Sequence, residues 1–190
     1  MITYTTSKTQ EELSGIIDLQ KNNLPQSLTK GDMQSQGFVT VSHTLDDLKK
    51  MATYEQNLII KDQDNIVGYL LAMTKNSRPD IPVLFPMFEA FDKIQYKEKL
   101  VSEYNYIVVG QVCIHKDYRG QGLLDNCYVA YKNHFKGKYD FAITEIATAN
   151  TRSINAHKRI GFFEIHRYTD AKNTEWSIVI WDWNSTTDEL

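Results

Sequence analysis

The apolar positions change period several times along the chain, and the changes divide it into elements. Ile2 to Thr5 alternates and predicts a first strand. Leu13, Ile16, Ile17 and Leu19 then recur at helical spacing behind Thr9-Gln10-Glu11-Glu12. Thr9 suits the N-cap of that helix and Glu12 the returning carboxylate of a capping box. The helix should stop near Leu24-Pro25. Ser27 to Phe38 contains Gly31 and Gly37 with little periodicity, and reads as a loop or a short helix followed by a loop. Thr44 begins a second short helix carrying Leu48 and Met51. Asn57 to Lys61 and Ile66 to Met73 read as two strands joined across Asp62-Gln63-Asp64-Asn65, a hairpin signal.

The stretch from Asn76 to Asn105 is broken by Pro79, Pro82 and Pro86, with a helix expected after Pro86. Tyr106 to Ile114 is rich in β-branched residues and reads as a buried strand, with Gly110 marking a bulge or a close backbone approach. Arg119-Gly120-Gln121-Gly122 turns that strand into a helix from Leu123 to about Phe135, stopped at Gly137. Asp140 to Ala147 alternates and can lie parallel to the Tyr106–Ile114 strand, with the helix as crossover. A short helix follows within Asn150 to Phe162, ended by Gly161. Phe163 to Tyr168 and Thr174 to Trp183 close the chain as strands, and Thr186 to Leu190 reads as a frayed tail. The fold class expected is α/β, a single domain over residues 1–190 with a central, mostly antiparallel mixed sheet and helices on both faces.

Composition narrows the partners. The net charge is −3, from 21 basic and 24 acidic residues without a long basic block. Nucleic acid and anionic membrane gain nothing from that balance. No apolar run reaches membrane-spanning length and no signal-peptide pattern opens the chain, so a cytoplasmic protein is expected. Cys113 and Cys127 read as small buried hydrophobes. The five histidines lack a zinc-like spacing, so no metal site is expected.

The glycine turn carries the chemistry. A strand, a glycine pair and a helix start aim free N–H groups and a positive helix end at one point, which suits phosphate. A P-loop would need Gly-Lys-Ser/Thr after the glycines, and the dinucleotide fingerprint would need a glycine where Asp125 stands. The segment instead resembles motif A of the GNAT superfamily, the acetyl-CoA-dependent N-acetyltransferases, whose loop reads Arg/Gln-x-x-Gly-x-Gly/Ala. Arg119 and Gly122 match, and Leu124 stands where the family prefers Gly or Ala. Asn150-Thr-Arg-Ser153 to Gly161-Phe162 resembles motif B, with His157 at the usual tyrosine position.

The resemblance implies transfer of an acetyl group from acetyl-CoA to a primary amine of a small molecule or peptide, a small-molecule acceptor being expected ahead of a protein. It places Val112, Cys113, Ile114, Arg119, Gly120, Gln121, Gly122, Leu123 and Leu124 against the cofactor, with Asn150 and Ser153 beside the pantetheine arm. His157 is the candidate proton donor to the leaving thiol. Many members carry a base on the strand before the loop, but Gln111 occupies that neighbourhood. Of Glu103 upstream and Glu145 on the next strand, Glu145 is the carboxylate of interest, with a water chain as the alternative route for the proton. The resemblance also puts Asp32, Phe38 and His43 on the acceptor side. The Phe85, Phe88 and Phe91 stretch covers the core, closes an acceptor pocket or forms a homodimer surface. An acyl-CoA-binding sensor or interaction domain with little turnover is the second reading.

Overall fold

The computed structural model describes residues 1–184, so the expected tail at Thr186 to Leu190 lies outside the described residues. The elements in order are β1 (Ile2–Thr6), α1 (Gln10–Lys21), α2 (Lys30–Gln36), α3 (Leu45–Tyr54), β2 (Leu58–Asp62), β3 (Asn65–Met73) and α4 (Phe85–Lys93). A small hairpin, β4 (Gln95–Tyr96) with β5 (Lys99–Leu100), precedes β6 (Tyr106–Ile114), α5 (Leu123–Phe135), β7 (Phe141–Ala147), α6 (Thr151–Ile160), β8 (Phe163–Thr169) and β9 (Glu175–Asp182). The main sheet has seven strands in the order β1-β2-β3-β6-β7-β9-β8. Among the described residues only β6 and β7 pair in parallel, as the crossover through α5 requires.

Local chemistry explains the helix starts. Thr9 and Glu12 form the expected capping box on α1, and Thr44 and Asp47 do the same on α3. A third box, Thr29 with Asp32, starts α2. The sheet separates two cores. Leu13, Ile16, Leu48, Met51, Phe88 and Phe91 from α1, α3 and α4 pack on one face with Tyr69, Val108 and Ile143. Cys127, Tyr128, Tyr131 and Phe135 from α5 pack on the other with Leu70, Ile107 and Ala142. Phe88 and Phe91 are thus core residues, while Phe85 is exposed.

The register of β3 against β6 jumps from Leu70↔Val112 to Ala72↔Val109, so Gly110 and Gln111 together oppose one residue. A side chain at position 110 would begin 2.8 Å from the Met73 sulfur, which accounts for the glycine. The extra residue reverses the faces. Tyr106 and Val108 point to the α1 side, whereas Val112 and Ile114 pack on the α5 side.

Candidate active site

The site forms where β6 and β7 part. They pair only from Tyr106 to Val108 against Phe141 to Ile143, although each strand runs further. The Thr144 hydroxyl donates to the Val109 carbonyl at 2.8 Å where they diverge. Further along, the His115 N–H donates to the Val67 carbonyl on β3. Amide directions alternate along a strand, so the N–H groups of Val112 and Ile114 turn towards the gap and that of Cys113 towards β3.

A cleft of about 640 Å³ opens there, bordered by the end of β6, the glycine loop, the first turn of α5, α6 and residues 34–39. Gly120 and Gly122 have φ of +74° and +75°, where L side chains are strained. A methyl group on either would meet nothing within 4 Å, so the backbone is open to a ligand. Gly122 is the N-cap of the 13-residue α5, whose first-turn N–H groups have no intrahelical acceptor. These features fit the pyrophosphate of acetyl-CoA.

Val112, Cys113, Ile114, Arg119, Gly120, Gly122, Leu123, Leu124, Asn150, Ser153 and His157 all border the cleft. Leu124 is half-buried and also packs on the α5-side core, so its bulk is partly absorbed there. Gln121 does not border it, and its side chain turns back to the Asp117 carbonyl at 3.0 Å. Arg119 is committed to protein acceptors, donating to the Ile114 carbonyl at 3.0 Å, Asn23 Oδ1 at 2.6 Å and Gln36 Oε1 at 3.2 Å. Asn150 caps α6 by accepting the Ser153 N–H at 3.2 Å, and its amide donates to the Phe38 carbonyl at 3.1 Å. Asp125 and Arg159 form an ion pair at 3.0 Å between α5 and α6. Cys113 and Cys127 are buried free thiols, and burial pushes Cys113 up to about 12.

His157 is 3% exposed. Its Nδ1 lies 2.8 Å from the Ser153 carbonyl, which can only accept, so Nδ1 carries the proton. Nε2 then accepts from the Tyr128 hydroxyl at 2.7 Å. Burial lowers its pKa to about 4, and the ring is neutral with both nitrogens engaged.

Glu145 lies apart from His157. It shares its strand face with Phe141 and Ile143 of the α1-side core, whereas His157 packs on Tyr128 and Phe162 of the α5-side core. Tyr168 Oη donates to Glu145 Oε2 at 2.6 Å. Burial nevertheless raises the carboxyl to about 7. Gln111 is held between the Tyr69 hydroxyl at 2.6 Å and the Val41 carbonyl at 2.8 Å. Of the other loop residues, Phe38 borders the cleft and Asp32 serves the α2 cap. His43 is buried with neither ring nitrogen bonded, and burial lowers it to about 4. Among the described residues no three His, Cys, Asp or Glu side chains are grouped to hold a metal, and no helix is long and apolar enough to cross a membrane.

The model of the acetyltransferase (GNAT) family matches residues 28–162. The chain belongs to this family. Solved structures share the fold at low identity. NAA60 of Arabidopsis thaliana, in complex with a bisubstrate analogue, superposes with a TM-score of 0.66 at 11% identity, covering 98% of this chain and 100% of that one. The ribosomal-protein-S18-alanine N-acetyltransferase of Escherichia coli gives 0.61 at 11% identity, covering 100% and 99%. A GNAT-family acetyltransferase of Streptococcus agalactiae gives 0.65 at 8% identity, covering 97% and 96%. No curated protein matches in sequence. Membership gives this GNAT chain acetyl-CoA-dependent acetyl transfer as its class of chemistry.

Proposed function

We propose that the protein transfers the acetyl group of acetyl-CoA directly to the primary amine of a small molecule. The observation that carries this reading is the gap between β6 and β7 opening beside a glycine loop with unobstructed backbone. Acetyl-CoA bound there supplies an activated acetyl group as a thioester. The N–H groups from Gly120 to Leu124, Gln121 included through its backbone alone, cradle pyrophosphate at the start of α5. Cys113, Ile114, Asn150 and Ser153 wall the pantetheine arm. The Val112 N–H, turned into the gap, stabilises the developing oxyanion.

Glu145, oriented by Tyr168, takes a proton from the substrate ammonium. A carboxyl near 7 is half ionised at neutral pH and matched to that task. Its half-buried position beside Tyr168 favours a slender amine over a folded protein surface. The freed amine then attacks the thioester carbonyl, and CoA leaves as the thiolate as the C–S bond breaks. His157 supports the cleft wall through Tyr128 and Ser153, and donating to a thiolate would require it to release one of them. A cytoplasmic location without nucleic-acid partners belongs to this reading, supported by the net charge of −3.

The test is calorimetric titration with acetyl-CoA, free CoA and ATP in parallel, with thermal stabilisation read on the same samples. Thiol release is then followed across an amine panel. Selective binding with amine-dependent release is expected. Binding without release for any amine would favour a sensor, and absence of both signals would remove the acetyl-CoA site.

A further inference from the structure

Residues 36–41 run from the cleft to the opposite face of the sheet. Gly37, Phe38 and Val39 border the cleft, and Val39 and Val41 also pack into the core that holds Glu145's neighbours. This strap is fastened along its length. Arg119 donates to Gln36 and to Asn23, and Asn23 in turn accepts the Val39 N–H on its carbonyl at 3.1 Å. Asn150 donates to the Phe38 carbonyl and Gln111 to the Val41 carbonyl. Gly37, at φ +74°, passes so near that a side chain there would begin 3.0 Å from Asn150 Oδ1.

Arg119 and Asn150 come from the glycine loop and the α6 cap, which form other walls of the cleft, and Gln111 from the β6 bulge next to the lining residue Val112. All the acceptors Arg119 reaches are neutral, so no carboxylate neutralises the guanidinium within these bonds. Its planar fork matches several acceptors at once, which an ammonium cannot do.

We propose that Arg119 is a positioning residue that latches residues 36–41 to the glycine loop, so that one loop sets both the phosphate cradle and the wall facing the amine. This rests on the acetyl-transfer reading for the identity of the two ligands, while the latch itself is a property of the unliganded chain.

Hydrogen exchange of the amides of residues 37–41 tests it in three proteins: wild type, Arg119→Lys and Gln36→Ala. Gln36 is exposed, so its truncation leaves the fold intact. Losing charge-assisted bonds should speed exchange about tenfold in Arg119→Lys and a few-fold in Gln36→Ala. With an amine identified by thiol release, both variants should raise KM for the amine by a larger factor than KM for acetyl-CoA. Unchanged strap exchange in both variants overturns the latch. If Arg119→Lys then also loses acetyl-CoA affinity, the guanidinium is a direct phosphate ligand. Should wild type bind no acetyl-CoA, the acetyl-transfer reading fails, yet the exchange comparison still decides the latch.

Discussion

Glu145 and His157 show how burial sets what a titratable residue can do. Glu145 is a carboxyl raised to about 7 with a phenol bonded to one oxygen. Glu145→Gln keeps that geometry without a base, and should lower kcat/KM about 10²-fold while removing the rising limb of the rate–pH profile near 7. His157 has no free nitrogen. His157→Phe strands the buried Tyr128 hydroxyl and should cost about 1–3 kcal/mol, read by urea unfolding, while the shape of the rate–pH profile stays as in wild type. A pH profile that loses a limb in this variant would restore the imidazole as a proton carrier. The sequence singled out both side chains. It could not show their bonds, because Tyr128 lies 29 residues from His157 and Tyr168 lies 23 from Glu145.

Elements were legible where their causes are local. The boxes at Thr9 and Thr44 close within three residues, and the Gly110 bulge has its cause in one missing side chain. α2 was only half legible because none of its residues is buried, so it leaves no apolar period to read. Arg119 was matched by motif, but two of its acceptors lie 83 and 96 residues away, which no spacing rule reaches. At the glycine turn, Gly122→Glu places an L residue at φ +75° and a negative charge on the phosphate cradle. The backbone term is about 1–2 kcal/mol. Acetyl-CoA affinity should fall at least about tenfold with the far-UV spectrum retained. Unchanged affinity would move the cradle elsewhere.

Across the whole molecule three buried groups make stability depend on pH, with opposed signs. His43 and His157 are held neutral down to about 4. Between about 6.5 and 4 the unfolded chain therefore binds two protons that the folded chain refuses, and stability falls as pH falls. Glu145 has the reverse effect. Folded, it stays protonated up to about 7, so its contribution is present at low pH and lost as pH rises through 7. In the overlap the net difference is about one proton, or about 1.4 kcal/mol per pH unit. Glu145→Gln removes the opposing group, so its stability should fall about twice as steeply below pH 6.5, and above pH 7 the variant should be the more stable protein. Urea unfolding from pH 4.5 to 8 measures both slopes. At this scale the alternation of strands and helices was readable, and so was the parallel β6–β7 pair. The insertion of β9 between β7 and β8 was not, since a hairpin read from sequence does not say which strand faces inward.

The parting of β6 and β7 also has a mechanical side. Three residue pairs join these strands, against five between β1 and β2 and seven between β7 and β9. Among the described strand pairs of this sheet theirs is the shortest seam, and the cores on either face bridge it. A ligand bound across the gap would add about 2.7 kcal/mol at a hundred times its dissociation constant. The gap proposed for acetyl-CoA and the shortest seam are one place, so binding there should hold together the strands that are joined least.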